Sequence, residues 1–221
     1  MTTNPEGNLR VIGLSDPLAR KVAEVGETAL AAVGGLLASV GLTICVDDQG
    51  VVSAPWLGYG DPDATGDRGL VLYCSRETFF ASNPRGLPVG LAPEIWEQRS
   101  APRDPAPPSP QDFSPVPSAC FLHHHFLFAE DFLTRTIDPA IVPPALLEGF
   151  QEAWAVTVDG RLDSRGLPCF SRAERRGLFS RTFAAAGVLL PSHWGIFGSL
   201  WEGGLRTQDQ VLGAVRLLPG L

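Results

Sequence analysis

The segment Cys120-Phe-Leu-His-His-His-Phe-Leu-Phe-Ala-Glu-Asp-Phe-Leu133 constrains the fold more than any other, because as a helix it is apolar in almost every direction. At 3.6 residues per turn, Leu122, Phe126, Ala129 and Leu133 form one apolar stripe, and Phe121, Phe128 and Phe132 form another with His125 between them. Cys120, His124, Leu127 and Asp131 share a further face, which leaves His123, Glu130 and Thr134 as a narrow polar strip, with His123 exposed. A helix with so little polar surface belongs inside the protein, and the reading makes it the central helix of the C-terminal half, over about 119–135.

The residues ahead of it cannot form regular structure. Seven of the sixteen positions from Pro102 to Pro117 are proline, which removes backbone donors and predicts a surface loop. Ser118 is then the expected N-cap of the histidine helix.

The N-terminal half reads as one helix and a small sheet. Asp16-Pro17 has the pattern of a cap followed by proline in the first turn, and Leu18, Val22, Val25, Leu30, Val33 and Leu37 continue at roughly helical spacing, so a helix is expected over 17–39. Leu42 to Val46 reads as a strand, and Asp47-Asp48-Gln49-Gly50 before Val51-Val52 predicts a hairpin. Another strand is expected at Gly69 to Cys74. Thr28 to Val46 is uncharged over nearly the length of a membrane span, but its glycines and alanines and the turn that ends it suggest a small-residue helix running into a buried strand.

Beyond residue 135 the pattern is helical. A helix is expected from Pro143 through Trp154, ending near Val158–Arg161. Ser171 with Glu174 has the spacing of a capping box ahead of another that stops at Gly187. Ser192 is the expected cap of a short aromatic helix with Trp194, Phe197 and Trp201 as core residues, closed by Gly203-Gly204, and Thr207 with Gln210 introduces a last helix over about 208–217. The fold class is α+β: an N-terminal helix and small mixed sheet (17–97), a proline-rich surface loop (98–117) and a helical half (118–221), forming one compact unit over residues 1–221.

Charge and cysteine content narrow the function. The net charge is −7 and Lys21 is the only lysine among 17 basic residues, so neither a nucleic-acid nor an anionic-membrane surface is expected. Cys45, Cys74, Cys120 and Cys169 form no CxxC pair, read as buried thiols, and with no secretory pattern at the N-terminus point to the cytoplasm.

Cys120 and His124, at i and i+4, could hold a metal ion from one helix face, whereas the plainer alternative is a set of hydrogen-bonded core histidines. A Cys120–His124 nucleophile pair is a third reading, with Cys120 near the start of the helix. His193, the remaining histidine, reads as a residue at a helix N-terminus.

The order helix, small strands, loop, histidine helix and carboxylate-bearing helix resembles the zincin metallopeptidases, in particular small bacterial zincin-like proteins with an HExxHH signature followed by Phe. His124-His125-Phe126 matches the end of that signature, which puts Cys120 at the first histidine ligand and Phe121 at the glutamate general base. The resemblance implies His124 as a metal ligand, with Glu148 or Glu152 of the next helix as the third ligand and Glu130 as a candidate base. Because phenylalanine cannot take a proton, it also implies a decayed site: a protein of metallopeptidase ancestry, without catalysis or cofactor, acting as a scaffold or binding protein for a protein or peptide partner. The alternative is a zinc-dependent hydrolase using Cys120, His124 and Glu148 or Glu152.

Overall fold

A computed structural model describes residues 8–47, 55–60, 69–80, 109–184 and 190–218. It is an α+β protein with a four-stranded mixed sheet and six helices among the described residues.

Strand β1 (Leu9–Ile12) leads through α1 (Asp16–Val33) to β2 (Leu42–Asp47), which lies beside β1 in parallel. The next two strands are β3 (Trp56–Tyr59) and β4 (Leu70–Ser75), and the sheet order is β1-β2-β4-β3. The expected hairpin after Asp47 is corrected at this point: β2 pairs in parallel with β4, and β3 pairs antiparallel with β4 rather than with β2. β2 can take a central place because Leu42, Ile44 and Val46 are buried on one face while its two edges are paired to β1 and β4. Val51 and Val52, and the loop from 61 to 66, lie outside the described residues. Trp56 sits opposite Tyr73 in the β3–β4 register, and their rings stack at 4.0 Å with planes 11° apart.

Helix α1 is shorter than its periodicity suggests. It stops at Val33 because Gly34 and Gly35 both take positive φ (67° and 73°), a conformation that L side chains avoid. Ser15, not Asp16, is its N-cap residue.

Helix α2 (Pro115–Leu133) is the histidine helix. It begins three residues before the expected cap. Pro115 and Pro117 occupy its first turn, where the missing N–H groups would have had no intrahelical partner, so Ser114 takes the cap position and Ser118 lies within the helix with its hydroxyl donating to the Ser114 carbonyl at 2.7 Å. Of the expected proline-rich loop, only residues from 109 onward are described. They form a short 3-10 turn, Pro110–Asp112, held by a capping box from Ser109, and run directly into α2.

Helices α3 (Leu147–Ser164), α4 (Arg172–Phe183), α5 (Pro191–Trp201) and α6 (Gln208–Arg216) complete the chain. The Ser171/Glu174 and Thr207/Gln210 capping boxes are both formed. Helix α3 starts later and runs further than expected, through Val158–Arg161. Gly160 is tolerated there because α5 passes so close that a β-carbon would collide with the Trp201 carbonyl. Ser192 is inside α5 rather than its cap, a position held by Leu190. Gly187, the expected end of α4, is outside the described residues.

Two hydrophobic cores meet along α2. Phe121, Leu122, Phe126 and Ala129 join α1 and the sheet in one core, and Leu127 joins α3 to α6 in the other. The near-continuous apolar surface of α2 is thus consumed on both sides, which places the His124 face against α3.

Candidate functional site: a buried histidine, aspartate and arginine cluster

His124 lies on the strip of α2 turned toward α3, with Asp131 two turns further on. Across the seam, α3 presents Glu152 and Asp159, at i and i+7 and so near one face of that helix. Asp159 is completely buried. From α4, Arg175 extends into the same space, positioned by the first turn that the Ser171/Glu174 box organises; its own N–H donates to the Ser171 carbonyl at 3.0 Å.

The side chains connect into one network. Asp159 Oδ1 accepts from His124 Nδ1 at 3.1 Å and from the Phe170 backbone N–H at 3.3 Å, and Asp159 Oδ2 accepts from Arg175 Nε. Arg175 Nη2 lies 3.2 and 3.3 Å from the two ring nitrogens of His124. With Nδ1–H committed to Asp159, Nε2 is the ring acceptor. Phe170 closes the network, its ring 4.8 Å from the guanidinium and 5.5 Å, edge-on, from His124.

Charge is balanced inside it. Burial alone would raise the Asp159 carboxyl, but His124 and the Arg175 guanidinium more than reverse this and hold it below the ordinary carboxylate range. Burial lowers His124, Asp159 opposes that, and Arg175 and Arg161 add to it, so the imidazole is neutral. One anion and one cation therefore neutralise each other around an uncharged ring, the arrangement a buried charged pair requires.

Glu152 stands at the edge of the cluster. Its Oε2 is 3.8 Å from Arg175 Nη1, while Oε1 is buried without a hydrogen-bond partner among the described residues. Burial pushes this carboxyl up to about 7 against the pull of Arg175.

A second clamp spans the same seam. Asp131 accepts from Trp154 Nε1 at 2.9 Å and takes both Nη atoms of Arg161 in a two-pronged pair. The helix face that carries His124 is thus a polar seam, tied twice to α3.

The residues singled out by the sequence are distributed as follows. His124 and Glu152 meet through Arg175. Cys120 and Cys169 lie close enough for each thiol to feel the same acids; burial first, then Glu174 and Asp159, raises Cys120, and burial with Asp159 and Asp163 pushes Cys169 up to about 11. Burial and the neighbouring acids thus favour the protonated thiol at both positions, the opposite of the shift that activates a cysteine nucleophile. Glu148 is exposed in the first turn of α3. Glu130 is elsewhere altogether: its two oxygens accept from the backbone N–H groups of Leu36 and Leu37, at 2.9 and 2.6 Å, tying α2 to the chain leaving α1.

Phe121 is a core residue, 6% exposed, with Phe79 edge-on at 5.7 Å and His125 4.1 Å away on its other side. His123 is not exposed as expected but 2% accessible, because α2 packs across α1 on that side; its Nδ1 donates to the Ala119 carbonyl at 2.8 Å. His125 bonds the Phe121 carbonyl in the same way, and burial pushes it down to about 3. His193 takes the helix-start place, its Nδ1 accepting from the Leu190 N–H at 3.0 Å.

Sequence reasoning missed Asp159 and Arg175. Asp159 was readable as the charge that directly follows the run Ala153 to Val158, in which Thr157 is the one polar residue. Arg175 carries no such mark, being one of three arginines in the polar stretch Arg172–Arg176.

A zinc ion does not fit this donor set. Catalytic zinc takes three protein ligands and a water, whereas among the described residues no three His, Cys, Asp or Glu side chains are grouped to hold a metal. A cation at His124 would also meet the guanidinium already lying against both ring nitrogens. Comparison with family models, with curated proteins and with solved structures finds no match for this chain. Among the described residues, no helix is long and apolar enough to cross a membrane.

Proposed function

We propose that the chain is a zincin-like protein of metallopeptidase ancestry whose catalytic signature has decayed and which acts as a non-catalytic binding or scaffold protein in the cytoplasm. The observation that carries this reading is the Arg175 guanidinium against His124, which supplies a fixed positive charge where the resemblance implies a metal. The small mixed sheet ahead of a histidine-bearing helix, followed by a carboxylate-bearing helix, supports the ancestry. Phe121 in the core, Glu130 spent on backbone N–H groups and four free thiols fit a protein that has kept the scaffold in a reducing compartment without the chemistry.

The surface that favours a peptide or protein partner is β3. It is the terminal strand of the sheet among the described residues, and Trp56 and Tyr59 on it are about half exposed (50% and 54%). An edge strand offers backbone donors and acceptors to an extended peptide, and exposed aromatic rings are common anchors.

Elemental analysis of protein purified without a chelator or a His-tag, combined with a peptidase assay, tests the reading. No stoichiometric zinc and no hydrolysis are expected. About one zinc per chain, the complement of a single catalytic site, lost on His124→Ala together with peptide hydrolysis, would replace this reading with the zinc-dependent hydrolase.

A further inference from the structure

An open cleft of about 450 Å³ lies between α1 and the N-terminal half of α2, with an exposed rim that includes Val116 and Pro168, and no residue of the Arg175 cluster lines it. Glu24, Val25 and Thr28 form its α1 wall, Pro115, Val116, Ala119 and His123 its α2 wall, and Pro168 closes one side. Pro115, Ala119 and His123 are spaced four residues apart, so the same face of α2 that buries His123 also builds the wall. The volume is within the range of small-molecule sites, and the surface is mostly aliphatic with few polar groups, the usual composition of such pockets.

His123 is the informative wall residue. It is 98% buried as a residue, one ring nitrogen is satisfied by the Ala119 carbonyl, and Nε2 has no partner among the described residues. With Nδ1–H donating, Nε2 is an acceptor. Burial, together with Arg165 nearby, keeps the ring neutral despite that bond. Glu24 brings one negative charge to the exposed side of the cavity, and Arg165 one positive charge near the ring, its Nη2 held 2.6 Å from the Ala32 carbonyl. Neither a cationic nor an anionic ligand is favoured by this pair. The two proline rings offer flat aliphatic faces to a planar apolar body.

We infer that this cavity is a binding site for a small neutral aromatic alcohol, its ring between Val25, Val116, Pro115 and Pro168 and its hydroxyl donating to His123 Nε2. The site is independent of the metallopeptidase-ancestry reading, and its test leaves that reading untouched.

Phenol, anisole, benzylamine and benzoate, titrated into the intact chain and followed by calorimetry and by amide chemical shifts, decide it. Phenol should bind saturably and shift residues of α1 and the start of α2. Anisole, which keeps the ring but has no donor, should bind about tenfold more weakly, the fold-change that one net hydrogen bond supports, and the two charged analogues should bind more weakly than phenol. Ala119→Leu, which fills the cavity from a half-buried position, should abolish phenol binding while the fold is kept. His123→Leu should erase the difference between phenol and anisole. Failure of phenol to saturate, equal binding of phenol and anisole to the unaltered protein, or phenol binding undiminished by Ala119→Leu in a folded variant would each overturn the site.

Discussion

Glu152 and Arg175 are an incomplete ion pair: one carboxylate oxygen stands 3.8 Å from the guanidinium, and the other is buried with no hydrogen-bond partner among the described residues. Asp159 takes the better face of Arg175 through Nε, so Glu152 is left with a distant contact and with Asp159 as a like-charged neighbour. Its carboxyl is raised from an ordinary 4.5 to about 7 by burial. The folded protein therefore holds a proton between these two values that the unfolded chain releases. The stability this provides is fully present below about 4.5 and is lost as pH rises through about 7. Glu152→Gln should leave stability at pH 4 nearly unchanged and increase it at pH 8, by on the order of 2 kcal/mol. Urea denaturation at both pH values measures this. A variant no more stable than the parent at pH 8 would show that ionised Glu152 is satisfied in the native protein.

Arg175 should matter most where it is least visible. Arg175→Met removes the counter-charge of a fully buried Asp159 and leaves its carboxylate, among the described residues, with two neutral donors, the His124 ring and the Phe170 N–H. Breaking one side of such a pair costs about 3–5 kcal/mol. Adding Asp159→Asn to Arg175→Met should recover part of the loss, because the double variant no longer buries an unpaired charge. The midpoints of the parent, both single variants and the double variant form a cycle. An Arg175→Met cost below about 1 kcal/mol, the scale of an exposed pair, would mean that the cluster is solvated in solution.

Local sequence chemistry made much of the helical half legible. Ser171 and Glu174, or Thr207 and Gln210, satisfy each other's backbone across a single turn, so two residues at i and i+3 suffice to locate a helix start. Parallel pairing has no such local mark. β1 is four residues long and pairs with residues more than thirty positions away, and the turn signal after Asp47 favoured a hairpin over a strand inserted between β1 and β4. The site was half legible for the same reason. His124 and Glu152 could be placed on helix faces by counting, but the guanidinium that joins them comes from α4, 51 residues after His124, and only packing brings it there. His123 was misplaced because a helical wheel ranks faces by polarity and cannot tell which neighbour covers the most polar one.

Gly160 tests the closeness of α3 and α5. In a solvent-exposed helix, Gly→Ala stabilises by about 1 kcal/mol. At residue 160 the new β-carbon would meet the backbone carbonyl of Trp201, which cannot swing aside as a side chain can. Gly160→Ala should therefore destabilise, and Gly177→Ala, at an α4 position where a β-carbon meets nothing within 4 Å, should stabilise. Thermal midpoints of the two variants should move in opposite directions; a stabilising Gly160→Ala would show that the helices sit further apart.

Cys120→His with Phe121→Glu writes an HExxH sequence onto α2, and if the helix faced an open metal cleft, zinc should then bind and stabilise it. The structure gives the two positions different surroundings. Residue 120 lies on the His124 side of the helix near Cys169, whereas residue 121 is in the core with Phe79, on the side facing the sheet. A glutamate at 121 would be buried among phenylalanines, at a cost on the order of several kcal/mol. Arg175 would still lie against His124 Nε2. Phe121→Glu and the double variant should therefore be destabilised alike, with no recovery in zinc, while Cys120→His alone should be tolerated better because its site is half-buried. Thermal midpoints of all four proteins, with and without zinc, provide the measurement. Selective zinc stabilisation of the double variant would mean that α2 can turn residue 121 toward His124, and the decayed metal site would then be intact enough to refill.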